Sequence, residues 1–354
     1  MKSVKRYGFI EHISRLVSRP AGKIRRVLRG KECVKFLYLE VTHRCNLRCI
    51  CCYTGAGSEK PDALTLAEQK SVVRQAQRMG ARMVSLSGSG EPLLYPHIRE
   101  LIDYIRWLGM RITIFTNGTT LDRETADWLI SRRVETYFKL YSLDPAVVDK
   151  MVGRQNAYKW VEYDCGGTGR FRIPTGLKYL LDAMRKTDKK NLVGVEAVVT
   201  RINNNSLADV ARFTTASGVM LYLETPIFSG RAIENYEVIS LSGDEYRRLY
   251  KELAGILGEE YFEKHRRHPC PVERNPAVWT NGDIGFCSSR PVNIGNVRET
   301  PLKELFAMVQ KEKQKQDASI AIDGLDGKCF RSCATRRYYE TLLSLSKKKA
   351  RGEG

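Results

Sequence analysis

The sequence predicts an α/β protein built on a parallel sheet, and three observations carry that prediction. Short apolar, β-branched runs alternate with stretches of helical periodicity six times between residues 34 and 257. The links between them are short, as right-handed crossovers within one sheet require. Glycine-rich and polar turns follow the strands, at the carboxyl ends where barrels and open α/β sheets place their chemistry.

Taken in order, residues 1–32 hold ten Lys/Arg against two Glu. Ile10, Ile13, Leu16 and Val17, then Ile24, Val27 and Leu28 beyond Pro20, fall at helical spacing. One or two basic amphipathic helices are expected, packed on the next domain or lying on a membrane surface. Val34 to Val41 reads as the first strand. Thr65 with Glu68 forms a capping box for a helix running to about Met79. Strands follow at Met83 to Leu86, Ile112 to Thr116, Val134 to Tyr141, Val193 to Val199 and Met220 to Thr225. Helices fill the spaces between them at about His97 to Leu108, Arg123 to Arg132, Thr175 to Arg185 and Leu207 to Ala216. A last helix spans about Gly243 to Leu257, and a polar insertion from Asn156 to Thr175 interrupts the rhythm. Asn281-Gly282-Asp283 then signals a hairpin, and a helix is expected from about Pro301 to Lys311.

Composition narrows the class. The chain has 354 residues, 42% of them hydrophobic, and a formal net charge of +19. No apolar run approaches the roughly 20 residues that span a bilayer, and no secretory h-region opens the chain. Ten cysteines without a secretory signal point to metal ligation rather than disulfides, so a cytoplasmic location is expected. The charge suits anionic partners such as nucleic acid, acidic lipid or an anionic substrate, or serves solubility alone.

The densest chemistry is Cys45-Asn46-Leu47-Arg48-Cys49-Ile50-Cys51-Cys52-Tyr53, directly after the first strand. Zinc usually takes four protein ligands in C-x2-4-C pairs, whereas iron–sulfur clusters are held by thiolates, four to a cube. The spacing C-x3-C-x2-C followed by Tyr resembles the signature of the radical S-adenosylmethionine (SAM) superfamily. That resemblance implies a partial (β/α)6 TIM-type barrel. It also implies a [4Fe–4S] cluster on Cys45, Cys49 and Cys52, with SAM on the open iron. Ser87-Gly88-Ser89-Gly90-Glu91-Pro92 then matches the family's second SAM-binding element, so Gly88, Gly90 and Glu91 are candidate cofactor residues. Asn117, Ser142, Asp144, Arg201 and Asn203 end later strands where the family places further SAM contacts. Tyr222, Glu224 and Thr225 are candidates to flank the adenine. One departure is Cys51, which stands where the family usually has an aromatic residue. Spacing still selects Cys52 as third ligand.

Four more cysteines follow the core: Cys270, Cys287, Cys329 and Cys333, in the pattern C-x11-G-x4-C then C-x3-C. By spacing alone they serve a zinc site equally well. The pattern resembles a SPASM or twitch extension, and with the middle cysteines of a full SPASM missing it implies one auxiliary [4Fe–4S] cluster. Expected domains are therefore a basic segment at 1–32, a radical SAM core at 33–258, a SPASM/twitch-like domain at 259–340 and a basic tail at 341–354. Cys33 is expected to be a small buried residue. Cys165, in the insertion, is a candidate hydrogen-atom donor over the barrel mouth.

The resemblance implies reductive cleavage of SAM and hydrogen abstraction from a small-molecule or peptide substrate, with electrons from a flavodoxin or ferredoxin. A saturated auxiliary cluster favours an oxidation, dehydrogenation or cross-link. Two other readings are an RNA-modifying enzyme, motivated by the basic ends, and a non-catalytic iron–sulfur carrier.

Overall fold

Alternation along the strands separates two unlike faces of one sheet. In the computed structural model, residues 34–87, 89–188, 191–258, 261, 275–287 and 290–322 are described. Six parallel strands form the centre: β1 (Phe36–Leu39), β2 (Met83–Leu86), β3 (Arg111–Thr116), β4 (Val134–Lys139), β7 (Val193–Val198) and β8 (Met220–Glu224). They pair in that order, with register Tyr38 to Ser85, Ser85 to Thr113, Phe115 to Tyr137, Tyr137 to Gly194 and Glu196 to Tyr222.

One face carries Leu37, Leu39, Val84, Leu86, Ile112, Ile114, Val134, Phe138, Val195 and Ala197, all in the main apolar core. The helices between strands lie in that core: α1 (Leu66–Arg78), α2 (Ile98–Trp107), α3 (Arg123–Ser131), α5 (Thr175–Arg185), α6 (Leu207–Ser217) and α7 (Gly243–Leu257). The opposite face is aromatic toward one end, where Phe36, Met83, Phe115, Tyr137 and Tyr222 pack together. In the same alternation phase, Glu40, Lys139 and Glu224 follow these side chains along their strands, and Glu196 stands in register with Lys139 and Tyr222. A packed plug thus closes one end of this inner face and charged groups occupy the other.

Two features depart from the sequence expectation. The stretch after β4 contains a helix, α4 (Pro145–Val152), and an antiparallel hairpin, β5 (Trp160–Asp164) with β6 (Arg170–Pro174). Tyr163 and Ile173 of the hairpin are buried in the main core beside Phe171 and Phe213, so the insertion covers helices rather than hanging free. The stretch after the core joins the same sheet. β9 (Ala277–Val278) runs parallel to β1, and β10 (Asp283–Cys287) and β11 (Arg290–Asn296) extend that edge in antiparallel fashion. Val278, Ile284 and, from α8 (Leu302–Ile322), Leu302, Leu305, Phe306 and Val309 belong to the main core. Among the described residues, no separate core serves the region after residue 258.

Candidate active site

The cysteine loop leaves β1 at Thr42 and is clamped from every side by main-chain hydrogen bonds. Cys45 N donates to Gly57 O at 2.8 Å and Gly57 N to His43 O at 3.0 Å, closing its two ends. Arg48 N and Ile50 N donate to Val152 O and Met151 O at the end of α4. Arg231 reaches Cys49 O through Nε at 3.1 Å and Ala56 O through Nη1 at 2.9 Å. Gly153 ends α4 with φ +65°, and a Cβ there would lie 2.5 Å from Arg48 O, so glycine is required twice over.

The second motif braces the same loop. Gly90 N donates to Thr42 O and Glu91 N to Arg44 O, at 2.8 and 2.9 Å. A Cβ on Gly90 would meet Arg44 O at 2.3 Å. The glycine therefore lets main chain approach main chain, where the sequence suggested an approach to ligand. Glu91 is buried and accepts from Thr116 Oγ1, Asn117 N and Leu93 N, tying the exit of β2 to that of β3. Its carboxyl is raised by burial, against which those three donors act.

The thiols differ in environment. Cys45, Cys49 and Cys52 are partly exposed, whereas Cys51 is buried among Leu47, Val148, Met151 and Phe228. Burial pushes the Cys51 thiol up to about 11 and raises Cys45 and Cys49 as well, with further elevation from neighbouring sulfurs. Cys52 runs the other way: burial is outweighed by hydrogen bonds from Thr54 and Ala56 and by the charge of Arg231. Thr54 Oγ1 lies 3.3 Å from Cys52 Sγ and donates to Ser89 O. Asn117 Nδ2 points at Cys45 Sγ, 3.9 Å away, and donates to Asn46 Oδ1 at 3.1 Å.

This donor set fits a cube with one open corner. Three partly exposed thiols share a rigid loop, the fourth faces the core, and the cations Lys139 and Arg231 lie close enough to offset thiolate charge. Among the described residues no three His, Cys, Asp or Glu side chains converge on a single metal ion. A cube asks for something else, since each thiolate binds a different iron.

Other sequence candidates have different partners. Asn203 is fully buried and saturated: Nδ2 donates to Tyr141 O and Val198 O, and Oδ1 accepts from Thr200 N and Oγ1. All four amide positions are spent on joining the exits of β4 and β7, so the side chain has none left for a cofactor. Arg201 turns outward to Glu237 O and Glu245. Asp144 caps α4 through Ala146 N, and Ser142, fully buried, accepts from Asp144 N. Cys165 sits at the tip of the β5–β6 hairpin. There Thr168 bonds Ala216 O at the end of α6, and Arg185 at the end of α5 bonds Asp164 O. Helices in a βα unit end beside strand starts, so this thiol lies at the end of the sheet away from the cysteine loop. The expected hydrogen-atom donor over the barrel mouth is thereby corrected: Cys165 is a buried outer-layer residue. Gly88, Cys270, Cys329 and Cys333 lie outside the described residues, and of Cys287 only the backbone, ending β10, is described.

Sequence reasoning missed Lys139, Glu196 and Glu40. Lys139 Nζ is 3.5 Å from Glu196 Oε2. Burial alone would lower Lys139, but Glu196 and the loop thiols hold it up. Burial pushes Glu196 up to about 7 despite Lys139, aided by Glu224, and Glu40 likewise to about 7. The available signal was a charge in inward phase within an apolar strand, as in Tyr-Phe-Lys139 and Gly-Val-Glu196.

Residues 39–163 match the family model described as the Radical SAM superfamily. The chain carries a radical SAM domain. It is 29% identical over 300 residues to a tungsten-containing aldehyde ferredoxin oxidoreductase cofactor-modifying protein of Pyrococcus furiosus, covering 77% of this chain and 81% of that relative. It is 26% identical over 239 residues to the mycofactocin maturase MftC of Mycolicibacterium smegmatis, covering 66% of this chain. There it spans 56% of the relative, less than two thirds of its length. The radical SAM fold, with its mostly parallel sheet, is shared with Streptococcus suis SuiB bound to its precursor peptide SuiA. The TM-score is 0.61 at 16% identity, over 92% of this chain and 83% of that one. The chain is a radical SAM enzyme.

Proposed function

We propose that this radical SAM enzyme cleaves SAM reductively at Cys45, Cys49 and Cys52 and abstracts a hydrogen atom from a peptide or small-molecule substrate. The observation that carries the reading is the loop itself: three partly exposed thiols at the exit of β1, braced by Gly90 and Glu91. A [4Fe–4S] cluster with SAM, when bound there, supplies an electron and a carbon-centred radical. The chain's own residues do the rest. Asn117 and Thr54 orient Cys45 and Cys52 by hydrogen bonding, which tunes a cluster's potential. Arg231 and Lys139 balance thiolate charge, and the aromatic plug of Phe36, Phe115, Tyr137 and Tyr222 excludes water from the far end.

In this reading the six parallel strands are a partial (β/α)6 barrel whose inner face is the reaction chamber. SuiB and the mycofactocin maturases support a peptide substrate, and the Pyrococcus relative a small molecule. Cys270, Cys287, Cys329 and Cys333 would hold one auxiliary [4Fe–4S] cluster in a twitch-like extension. Four protein ligands leave no iron open for substrate, so the net reaction is an oxidation with an electron carried outward. A small electron carrier of the flavodoxin or ferredoxin kind is the proposed partner, and the cytoplasm the proposed location. Among the described residues no helix is long and apolar enough to cross a membrane.

Anaerobic reconstitution tests this. About eight irons per chain are expected, four per cube, with 5′-deoxyadenosine formed from SAM on reduction. Four irons with intact SAM cleavage would remove the auxiliary cluster from the scheme. Absence of deoxyadenosine would remove the radical reading. Deleting residues 1–32 tests the basic end: salt-sensitive binding to RNA or acidic liposomes should weaken if that segment supplies it.

A further inference from the structure

The end of the sheet away from the cysteine loop is lined with cations. Each of the first four strands begins on one: Lys35 before β1, Arg82 before β2, Arg111 opening β3 and Arg133 before β4. The ladder holds neighbours together, with Arg82 N donating to Lys35 O at 3.0 Å and Arg111 N to Arg82 O at 2.9 Å. The helices that feed these strands end at the same level, so Arg78 of α1 and Arg106 and Trp107 of α2 join the row. Arg78, Arg82 and Arg133 are exposed, and Lys35 and Arg106 partly so.

Two ordinary roles cover part of this row. A cation in the last turn of a helix complements the macrodipole, which suits Arg78 and Arg106. Ion pairing suits Arg111, which binds the buried Glu135. Lys35 and Arg82 open strands instead, and Arg133 sits at φ +53°, where glycine or asparagine costs less. The guanidiniums also crowd one another. Burial and the charge of Arg106 hold Arg111 down at about 10, and burial and Arg133 lower Arg106 in turn. Like charges gathered at one face repel, and an anion laid across them relieves that repulsion.

An aromatic ring stands beside the cations. Trp107 is 69% exposed, stacked on Tyr104 with centroids 5.8 Å apart and with the Arg74 guanidinium 5.3 Å from its ring. The chain also enters β1 at this end, from residues 1–32 with their ten Lys/Arg and their aliphatic residues at helical spacing. We propose that this end of the molecule docks on an anionic lipid surface, with Lys35, Arg78, Arg82, Arg106 and Arg133 against headgroup phosphates and Trp107 at the interface. Indole rings favour that depth, and basic side chains reach phosphates while their stems stay in apolar surroundings. The aliphatic residues of 1–32 favour lipid over RNA, because nucleic acid uses cations and stacking rings but has no place for an aliphatic helix face. The proposal is independent of the radical chemistry. It leaves the cysteine loop at the opposite end, open to substrate and electron carrier.

The test is co-sedimentation of the full reconstituted chain with vesicles of phosphatidylcholine alone or mixed equally with phosphatidylglycerol. Binding should require phosphatidylglycerol and weaken as salt is added. The triple variant Arg78→Gln, Arg82→Gln, Arg133→Asn should bind on the order of a hundredfold more weakly, about fivefold per cation removed. Its circular dichroism and deoxyadenosine formation should match the wild type, since none of the three lies near the cysteine loop. Vesicles should shift tryptophan emission to the blue, and Trp107→Phe should remove the shift, because Trp128, Trp160 and Trp279 are only partly exposed. Wild-type binding by the triple variant would overturn the proposal and leave residues 1–32 as the sole contact. Equal binding to both vesicles, or an emission shift retained in Trp107→Phe, would overturn it as well. A mixed-sequence single-stranded RNA that binds more tightly and strips the protein from vesicles would make nucleic acid the partner instead.

Discussion

Neighbouring cysteines in one loop sit in different environments because burial differs over a single residue. Cys45→Ala, Cys49→Ala and Cys52→Ala should each abolish deoxyadenosine formation and remove about four irons. Cys51→Ala should keep the cluster's iron and its visible absorbance, and cost about 1 kcal/mol of stability by leaving a small cavity among Leu47, Met151 and Phe228. Iron retained in Cys52→Ala but lost in Cys51→Ala would reverse the ligand assignment. The inner carboxylates make a pH prediction. Glu40 and Glu196 are both raised from 4.5 to about 7 by burial, so between those values the folded chain binds more protons than the unfolded one. Stability contributed by protonation is then full below about 4.5 and lost as pH rises toward 7. Without substrate, the melting temperature should fall over that interval. Glu196→Gln should flatten the fall and raise stability at pH 7.5. A melting temperature insensitive to Glu196→Gln would show that Lys139 already compensates the charge.

Elements were legible where local chemistry repeats. The six parallel strands and their helices follow from β-branched runs, helical periodicity and the Thr65–Glu68 capping box of α1. Thr65→Ala should cost about 1 kcal/mol through the lost cap, measured by denaturant midpoint with an unchanged slope. The β5–β6 hairpin was not legible. Its residues, among them Trp160, Tyr163, Arg170 and Phe171, alternate in a way that shows only once Phe213 and α5 are in place to cover them. The polar strand-end residues are hard to read for a related reason. Asn203, Ser142 and Asp144 stand where cofactor contacts are expected, yet each satisfies main-chain groups left open by the turns themselves. Asn203 tests the distinction: Asn203→Ala strands Thr200 N, Tyr141 O and Val198 O in the interior. Such a loss costs on the order of 2 kcal/mol or more, while SAM affinity should hold to within twofold. A large loss of SAM binding in a folded Asn203→Ala protein would restore it to the cofactor site.

At the scale of the molecule, the segment after residue 258 decides what counts as the catalytic unit. The cysteine spacing suggests an appended domain from residue 259, but β9 hydrogen-bonds to β1 through Tyr38 N to Pro276 O and Glu40 N to Val278 O. Phe36 N also donates to Asn275 Oδ1, and Arg298 clasps Glu68 and the carbonyls of Asp62 and Ala63. The Arg298 guanidinium holds Glu68 down at about 2, so this clasp persists above about pH 4.5 and is lost as pH falls toward 2. Removing the segment would uncover β1 as an edge with unpaired ladder groups, on the very strand that carries the cysteine loop. It would also strip Val278, Ile284, Leu302, Leu305, Phe306 and Val309 from the core. At about 1.5–3 kcal/mol per large apolar side chain, six such losses are comparable to the whole stability of a domain, about 5–15 kcal/mol. A chain ending at residue 258 should therefore aggregate or elute as a swollen species, whereas one ending at residue 322 should keep the oligomeric state and the radical-cluster iron of the full chain. A well-folded, iron-loaded 33–258 fragment would instead make the sheet extension an accessory and return the boundary to residue 259.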